Sequence, residues 1–498
     1  MAVAFNAIPG NLRVPLFYAE VNSGGAPYQS NARLLLIGQM LATGSAAAAT
    51  AVLTQDNGEA LFGAGSMLAE MCRVARLNAP FQEIWALPLA DEVAGVAATG
   101  KITVANTPVA QAGTLTIYIA GVRIRVRVAT TDDDEAVAAA LVAAINAETS
   151  LPLTAAVNGS NANECDLTAR HKGTLGNDIR IDTDLVGDES SLAADLLTIT
   201  AMASGAGDPD ITAGLAALAD EEFDWLAGPY TDATNLDAVE LFLNGDTGRW
   251  GPISQLYGHY IGFKAAALGA LSTLGLARND PHASIMGAYN SPSPPWAWAA
   301  ATGGRAAAHL QDAPELSRPL QTLPLVGIDA PKIADRFDIA ERNTALYDGI
   351  STYHVRRDGT VAIDRLITTY QTNAWGSADA TWLDVNTMAQ TMYLLRYLKA
   401  KVTAHYGRVA LADENPFGLQ GIATPDDIRD TVSHGYRELV ADGVVENSDL
   451  FEAELIVERD ITDANRVNVY LPYDVVNQLR VFAVNATTFL QLRSPAAA

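Results

Sequence analysis

Alternating apolar and polar positions open and close this chain. Near the start, in NLRVPLFYAEV, Leu12, Val14, Leu16 and Tyr18 fall on one face, with Phe17 between them. Near the end, LRVFAVNATTFLQLR carries strand formers over residues 479–492, with Val481, Phe482, Val484, Phe489 and Leu490 as its bulky apolar positions. Period-two alternation marks a strand that buries one face. Termini fray unless they are tied down. Strands at both ends therefore point to pairing with a neighbouring copy by strand addition. Pro15 lacks a backbone donor, which places the first strand at a sheet edge or in an irregular pairing. The stretch VNSGGAPYQSN behind it is a Gly/Ser/Pro linker that reorients at little cost.

Inside these ends the period changes. ARLLLIGQM predicts a buried strand. Residues 66–77 predict a helix with Met67, Leu68, Met71, Val74 and Ala75 on one stripe, and residues 81–89 a second strand. Strand, helix, strand is an α/β unit. From about residue 94 the texture becomes β-rich: GKITVAN, GTLTIYIAG and VRIRVRVAT, a helix opened at 130–134 and running to 147, then LTAAVNG, CDLTARH, DIRIDTDL and LLTITAMA. This reads as a self-contained insert ending near 204–210. The α/β pattern resumes with helix DITAGLAALAD, strand FDWLAGPY, helix LDAVELFLNG and a strand at 284–288. A Pro/Trp loop, NSPSPPWAWAAA, and a proline-rich linker over 312–331 come next. The chain closes with a hairpin over 356–365 turning at Asp358-Gly359, helices over 383–406 and 424–442, and a hairpin pairing 451–460 with 465–470.

Charge narrows the function. The 498 residues hold 57 acidic against 32 basic side chains, a net charge of −25. Phosphate backbones reward clustered Lys and Arg, so nucleic acid binding is disfavoured. The basic run Arg123, Arg125, Arg127 alternates along a strand and forms one solvated face. Acidity favours solubility at high copy number and makes self-association sensitive to salt and pH. Length allows about three domains. No apolar stretch is long enough to predict a membrane span, and the first residues do not read as a signal peptide. Cys72 and Cys165, far apart, read as reduced thiols.

Candidate chemistry is thin. Asp224, His259 and Ser284 follow the chain order of one protease class, but order without local motifs says little. There is no G-x-S-x-G elbow, and HASIMGA lacks a glycine-flanked nucleophile. The plain reading is a strand-end Ser and two surface polar residues. GVAATGK, at 95–101, resembles a phosphate loop but is followed by Ile102 instead of Ser or Thr, at the start of a strand. The run Asp132, Asp133, Asp134, Glu135 lacks the spacing of a calcium loop and suits a helix N-terminus. Seven scattered histidines form no metal-binding pair. Trp296 and Trp298 read as plugs that seat their loop on its own domain.

Four segments taken together, NLRVPLFYAEV, FDWLAGPYTD, LITTYQTNAWGSADATWLDVNT and RVNVYLPYDVVNQLRVFAV, resemble the contractile tail sheath proteins of Mu-like bacteriophages. The likeness runs in order along the whole chain and is weakest over about 94–205. It implies a multidomain α/β and α+β fold. An N-terminal arm and linker (1–25) leads to a core domain built from both chain ends (26–93 and 336–478). A β-rich inserted domain (94–205), a middle α/β domain that is subtilisin-like in the family (206–335) and a C-terminal arm (479–498) complete it. It further implies a structural subunit with no catalytic site, cofactor or metal, forming stacked hexameric rings around a tail tube in the virion. The arms would add strands to an acceptor hairpin of a neighbour, here Leu455, Val457, Val467, Val469 and Leu471. The tail tube, baseplate and tail terminator proteins would be partners, with no nucleic acid or membrane insertion. The long helix after the TTYQTN segment would lie near the tube. Contraction would exchange body contacts while the arms stay paired. The rivals are a sheath subunit of a related contractile injection machine and, from the enzyme class, an α/β hydrolase with a β insert.

Overall fold

The computed structural model describes residues 32–105, 107–109, 111–185 and 192–488. Leu12, Val14, Leu16, Phe17, Tyr18, Phe489 and Leu490 lie outside them. The described residues divide into a larger unit, residues 32–393 with Leu439–Asn447 and residues 473–488, and a smaller one, Leu394–Glu438 and Ser448–Pro472. The backbone thus passes between units at 393/394, 438/439, 447/448 and 472/473. In chain order the strands are β1 (Arg33–Gln39), β2 (Val52–Thr54), β3 (Glu83–Leu89), β4 (Ala97–Val104), β5 (Gly113–Ile119), β6 (Val122–Val128), β7 (Leu153–Val157), β8 (Glu164–Lys172), β9 (Ile181–Asp182), β10 (Leu197–Ala203), β11 (Trp225–Gly228), β12 (His259–Ala265), β13 (Ala283–Ala288), β14 (Thr352–Val355), β15 (Val361–Arg365), β16 (Ala410–Leu411), β17 (Ile422–Ala423), β18 (Ile456–Arg459) and β19 (Val467–Tyr470).

The larger unit is organised by a six-stranded sheet in the order β13-β12-β11-β1-β3-β2. Its strands are parallel except β2, which pairs antiparallel at the edge. Parallel strands need both faces covered, and RLLLIGQ in β1 is accordingly buried along nearly its whole length. Helices Met67–Asn78 and Pro295–His309 cover one face. The second comes so close that a Cβ on Gly303 would stand 2.7 Å from the Ala227 Cβ, and one on Gly304 3.1 Å from the Ala75 carbonyl. Glycine is required at that approach. On the other face Gly214, in helix Thr212–Ala217, meets Leu87 and Leu89 of β3.

Three differences from the sequence reading stand out here. The Pro/Trp loop is the start of helix Pro295–His309: Pro295 fills the first turn, where a missing donor costs nothing, and Trp296 and Trp298 are buried core residues. The strand β12 was not anticipated, because His259 and Lys264 interrupt its apolar run. Segment 26–93, read as part of a core separate from 206–335, instead contributes β1–β3 to the sheet that holds β11–β13. Between them, residues 97–203 make two antiparallel sheets of their own, β10-β4-β8-β7 and β6-β5-β9.

In the smaller unit, parts of helices Val385–Tyr406 and Pro425–Ala441 pack with helix Ser448–Glu454. The Tyr436 and Phe451 rings stack with centroids 3.6 Å apart. Lys401 and Tyr397 both bond the Glu438 carboxylate. Because Ser448–Glu454 is helical, the closing hairpin begins at Ile456 and not at 451.

Candidate self-assembly surface

The positions that could have carried chemistry are occupied structurally. Parallel neighbours β11, β12 and β13 do bring Asp224, His259 and Ser284 together at one end of the sheet. His259 Nε2 lies 2.8 Å from Ser284 Oγ. But His259 and Ser284 have no solvent exposure, and Asp224 is buried as well, against the expectation of a polar surface. The Asp224 carboxylate accepts the Arg33 amide at 2.8 Å, while His259 Nδ1 has no hydrogen-bond partner. Burial, with His282 nearby, pushes the His259 pKa down to about 3. A sealed, neutral imidazole with no carboxylate orienting it cannot present a nucleophile to a substrate.

Lys101 of the phosphate-loop look-alike sits within β4 and pairs with Glu164 at 2.7 Å. In the acidic run, Asp133 caps helix Asp134–Ala147 by accepting the Ala136 amide at 2.8 Å, and Asp132 accepts that of Ala129 at 2.8 Å. An open cleft of about 660 Å³ runs beside helix Met67–Asn78. Its cations are taken: Arg73 pairs with Glu70 at 2.8 Å, and Arg76 donates to the Gln82 carbonyl at 2.8 Å. Cys72 on its wall is a thiol pushed up to about 12 by burial. Among the described residues no group of His, Cys, Asp and Glu could hold a metal, and no helix is long and apolar enough to cross a membrane.

What is left unfinished is β structure. Among the described residues β18 and β19 form an antiparallel sheet of two strands, in the register Ile456↔Tyr470, Val457↔Val469, Glu458↔Asn468, Arg459↔Val467. Its turn is built around Asp460, whose carboxylate accepts from the Thr462 amide (2.8 Å), the Thr462 hydroxyl (2.7 Å) and Asn468 Nδ2 (2.9 Å). Those bonds hold the Asp460 pKa well below the usual carboxylate range. Arg459 ties the ribbon down through Asp413 at 2.8 Å. Ile456, Val469 and Tyr470 remain 53%, 45% and 60% exposed. Lone two-stranded ribbons are marginal in water, and their outer backbone groups are templates for a further strand.

The C-terminal segment also exposes apolar residues. From Tyr473 to Arg480 it is hydrogen-bonded within the larger unit, as in the bridge between Val445 and Val475. Beyond it, residues 481–488 hold no assigned secondary structure, and Val481, Phe482 and Val484 are 78%, 82% and 69% exposed.

Of the residues named from sequence, Val457, Val467 and Val469 fall in the hairpin, with Leu455 and Leu471 immediately flanking it. Leu455 is buried at the end of helix Ser448–Glu454, its amide donating to the Phe451 carbonyl at 2.8 Å. Sequence reasoning passed over Ile456 and Tyr470, a cross-strand pair on the more exposed face. Their signal was present: they alternate with Val457 and Val469 at period two.

Residues 204–369 match the phage tail sheath protein central domain, and residues 377–489 the phage tail sheath C-terminal domain. Over 490 residues the chain is 35% identical to the Mu-like prophage FluMu tail sheath protein of Haemophilus influenzae, covering 97% of this chain and 99% of that protein. The sheath tail protein of Desulfitobacterium hafniense shares the fold, with a TM-score of 0.50 at 11% identity over 93% of this chain and 97% of that one. The sheath tail protein of Listeria innocua gives a TM-score of 0.48 at 13% identity, covering 90% and 93%. With a relative aligned along nearly its whole length and two sheath domains in succession, this chain belongs to the phage tail sheath protein family.

Proposed function

We propose that this structural protein is the repeating subunit of a contractile sheath, built as stacked hexameric rings around a tail tube, which shortens to drive the tube through a host envelope. The observation that carries the reading is the two-stranded hairpin, left with exposed apolar residues in a chain that also exposes Val481, Phe482 and Val484 on an unpaired terminal segment. Strands donated from neighbouring copies, at residues 12–18 and from 481 onward, would extend the ribbon into a sheet of ordinary width. Each added backbone bond contributes a net ~0.5–1.5 kcal/mol. Several per arm, with apolar burial, hold subunits together while their bodies rotate. In this reading the extended packing is metastable, and contraction exchanges body contacts with the arms still paired.

The partners are other copies of the chain, the tail tube protein, and baseplate and terminator proteins at the ends. The finished place is the virion, with assembly in the host cytoplasm. Residues 94–205 face away from the tube. No catalytic step, nucleotide or metal is needed, since subunit packing stores the energy. Negative-stain microscopy of the purified protein tests this. Hollow cylinders are expected for the full chain and none for a form truncated after Asn477, which should remain a folded monomer. A full chain that stays a monodisperse monomer at high concentration overturns the reading.

A further inference from the structure

The C-terminal segment changes character at one residue. Before it, the Glu446 amide donates to the Asp474 carbonyl at 2.9 Å and the Val476 amide to the Val444 carbonyl at 3.1 Å. Gln390, fully buried, donates Nε2 to the Val476 carbonyl at 2.9 Å and reaches Ser317 Oγ at 2.8 Å, stitching the segment to two others. Among the described residues the last such contact belongs to Arg480. Its guanidinium donates to Asp384 Oδ1 at 2.9 Å and to Asn386 Oδ1 at 3.1 Å. Asp384 is itself oriented by Arg365, at 3.1 Å to Oδ1 and 2.8 Å to Oδ2. The Arg480 side chain is 13% exposed, whereas Leu479 and Val481 on either side are 69% and 78% exposed.

That order is inverted relative to ordinary surface chain, in which the charge faces water and the apolar neighbours tuck in. A pair this shielded is screened less by salt than a surface pair, and without Arg480 the Asp384 carboxylate still keeps its pairing to Arg365. We propose that Arg480, held by Asp384 and Asn386, is the positioning residue that fixes where the C-terminal segment leaves its own subunit, and so sets how far that segment reaches. The inference rests on the reading of residues 481 onward as a donated strand. With the root at Arg480, residues 481–488 span at most about 28 Å when extended. If the root frays back to Tyr473, the reach of that stretch roughly doubles. The effective concentration of the strand at one acceptor falls as the tether lengthens, and acceptors on other neighbours come within range.

The test uses the full chain. Arg480→Ala and Arg480→Lys are compared with the unaltered protein and with a Phe482→Ala/Val484→Ala control. Each is examined by thermal melting, by amide hydrogen exchange of the unassembled subunit, and by microscopy of assembled cylinders. Arg480→Ala is expected to melt as the parent does and to raise exchange at residues 474–480 by about tenfold. Its cylinders are expected to be irregular in diameter. Arg480→Lys, which keeps the charge but loses the planar fork, should fall between. Exchange at 474–480 that does not change in Arg480→Ala overturns the proposal. Raised exchange with cylinders as regular as the parent's overturns the reach-setting role. Normal cylinders from the Phe482→Ala/Val484→Ala control would sink the donated-strand reading instead, leaving the exchange result for Arg480 standing.

Discussion

The six-stranded sheet of the larger unit and the β18–β19 ribbon of the smaller one solve the same problem in opposite ways. In the first, Leu34, Leu35, Leu36 and Ile37 are fully buried, helices lie over both faces, and five parallel strands are shielded within one subunit. In the second, two strands stand with Ile456, Val469 and Tyr470 in water. One sheet is closed within its subunit; in the proposed assembly the ribbon is the part that takes a strand from a neighbour. Apolar exposure at a sheet edge is ordinarily an aggregation hazard. In the ribbon, the turn and the Arg459 pairing fix the register.

The sharpest way to break the contrast is a pair of substitutions. Trp298 stacks on Phe263 with centroids 4.8 Å apart and donates to Ser291 Oγ at 2.7 Å. Trp298→Ala should cost about 3–5 kcal/mol and lower the thermal midpoint of the unassembled subunit. Val469→Asp should leave that midpoint unchanged yet abolish cylinders under the microscope. Equal loss of stability from both would show that the ribbon is part of a closed core.

A smaller effect separates the regions by pH. His259 and His282 are pushed down to about 3 and about 4 by burial, below the unfolded value near 6.5. Each is neutral in the folded sheet, so the unfolded chain binds more protons as pH falls. Their stabilisation is complete above about pH 6.5 and is lost towards pH 3, at up to ~1.4 kcal/mol per pH unit for each group. Asp460 in the ribbon is also held down, by its hydrogen bonds and not by burial, and as a carboxylate it stays ionised between pH 7 and pH 5. Melting at pH 7 and pH 5 should therefore show weakening of the larger unit, with a shallower slope in His259→Gln. Hydrogen exchange in β18 and β19 of the monomer should not change. The smallest expected effect is Lys101→Ala in β4. Its pair with Glu164 lies at the surface, so the midpoint should move by about 1 °C or less.

Much of this was legible in the sequence, because short-range period is written locally. The helix stripe of Met67, Leu68, Met71, Val74 and Ala75 and the alternation in VRIRVRV appear as read, and the closing hairpin appears with its first strand shortened to begin at Ile456. What failed to show was non-local or masked by composition. Leu34 pairs with Trp225 across the whole inserted region, and nothing local in either strand announces the partner. Helix Pro295–His309 hid behind Pro294 and Pro295, which suggest a loop but serve as a helix start. His259 looked like surface polarity, yet it is sealed beside Ser284. At the candidate site the apolar positions of the hairpin could be read. The boundary at Arg480 could not, since only the fold brings Asp384 and Asn386 to it.

The threading of the backbone through the two units has a mechanical corollary. Among the described residues, peptide bonds cross the border at 393/394, 438/439, 447/448 and 472/473, so the lobe that bears the ribbon is sewn in by four covalent seams there. A pull applied to β18–β19 is shared among parallel strands of polymer and does not hang on a single hinge. Neighbouring copies would trade strands far more readily than whole lobes, since exchanging the lobe would mean unpicking every seam at once.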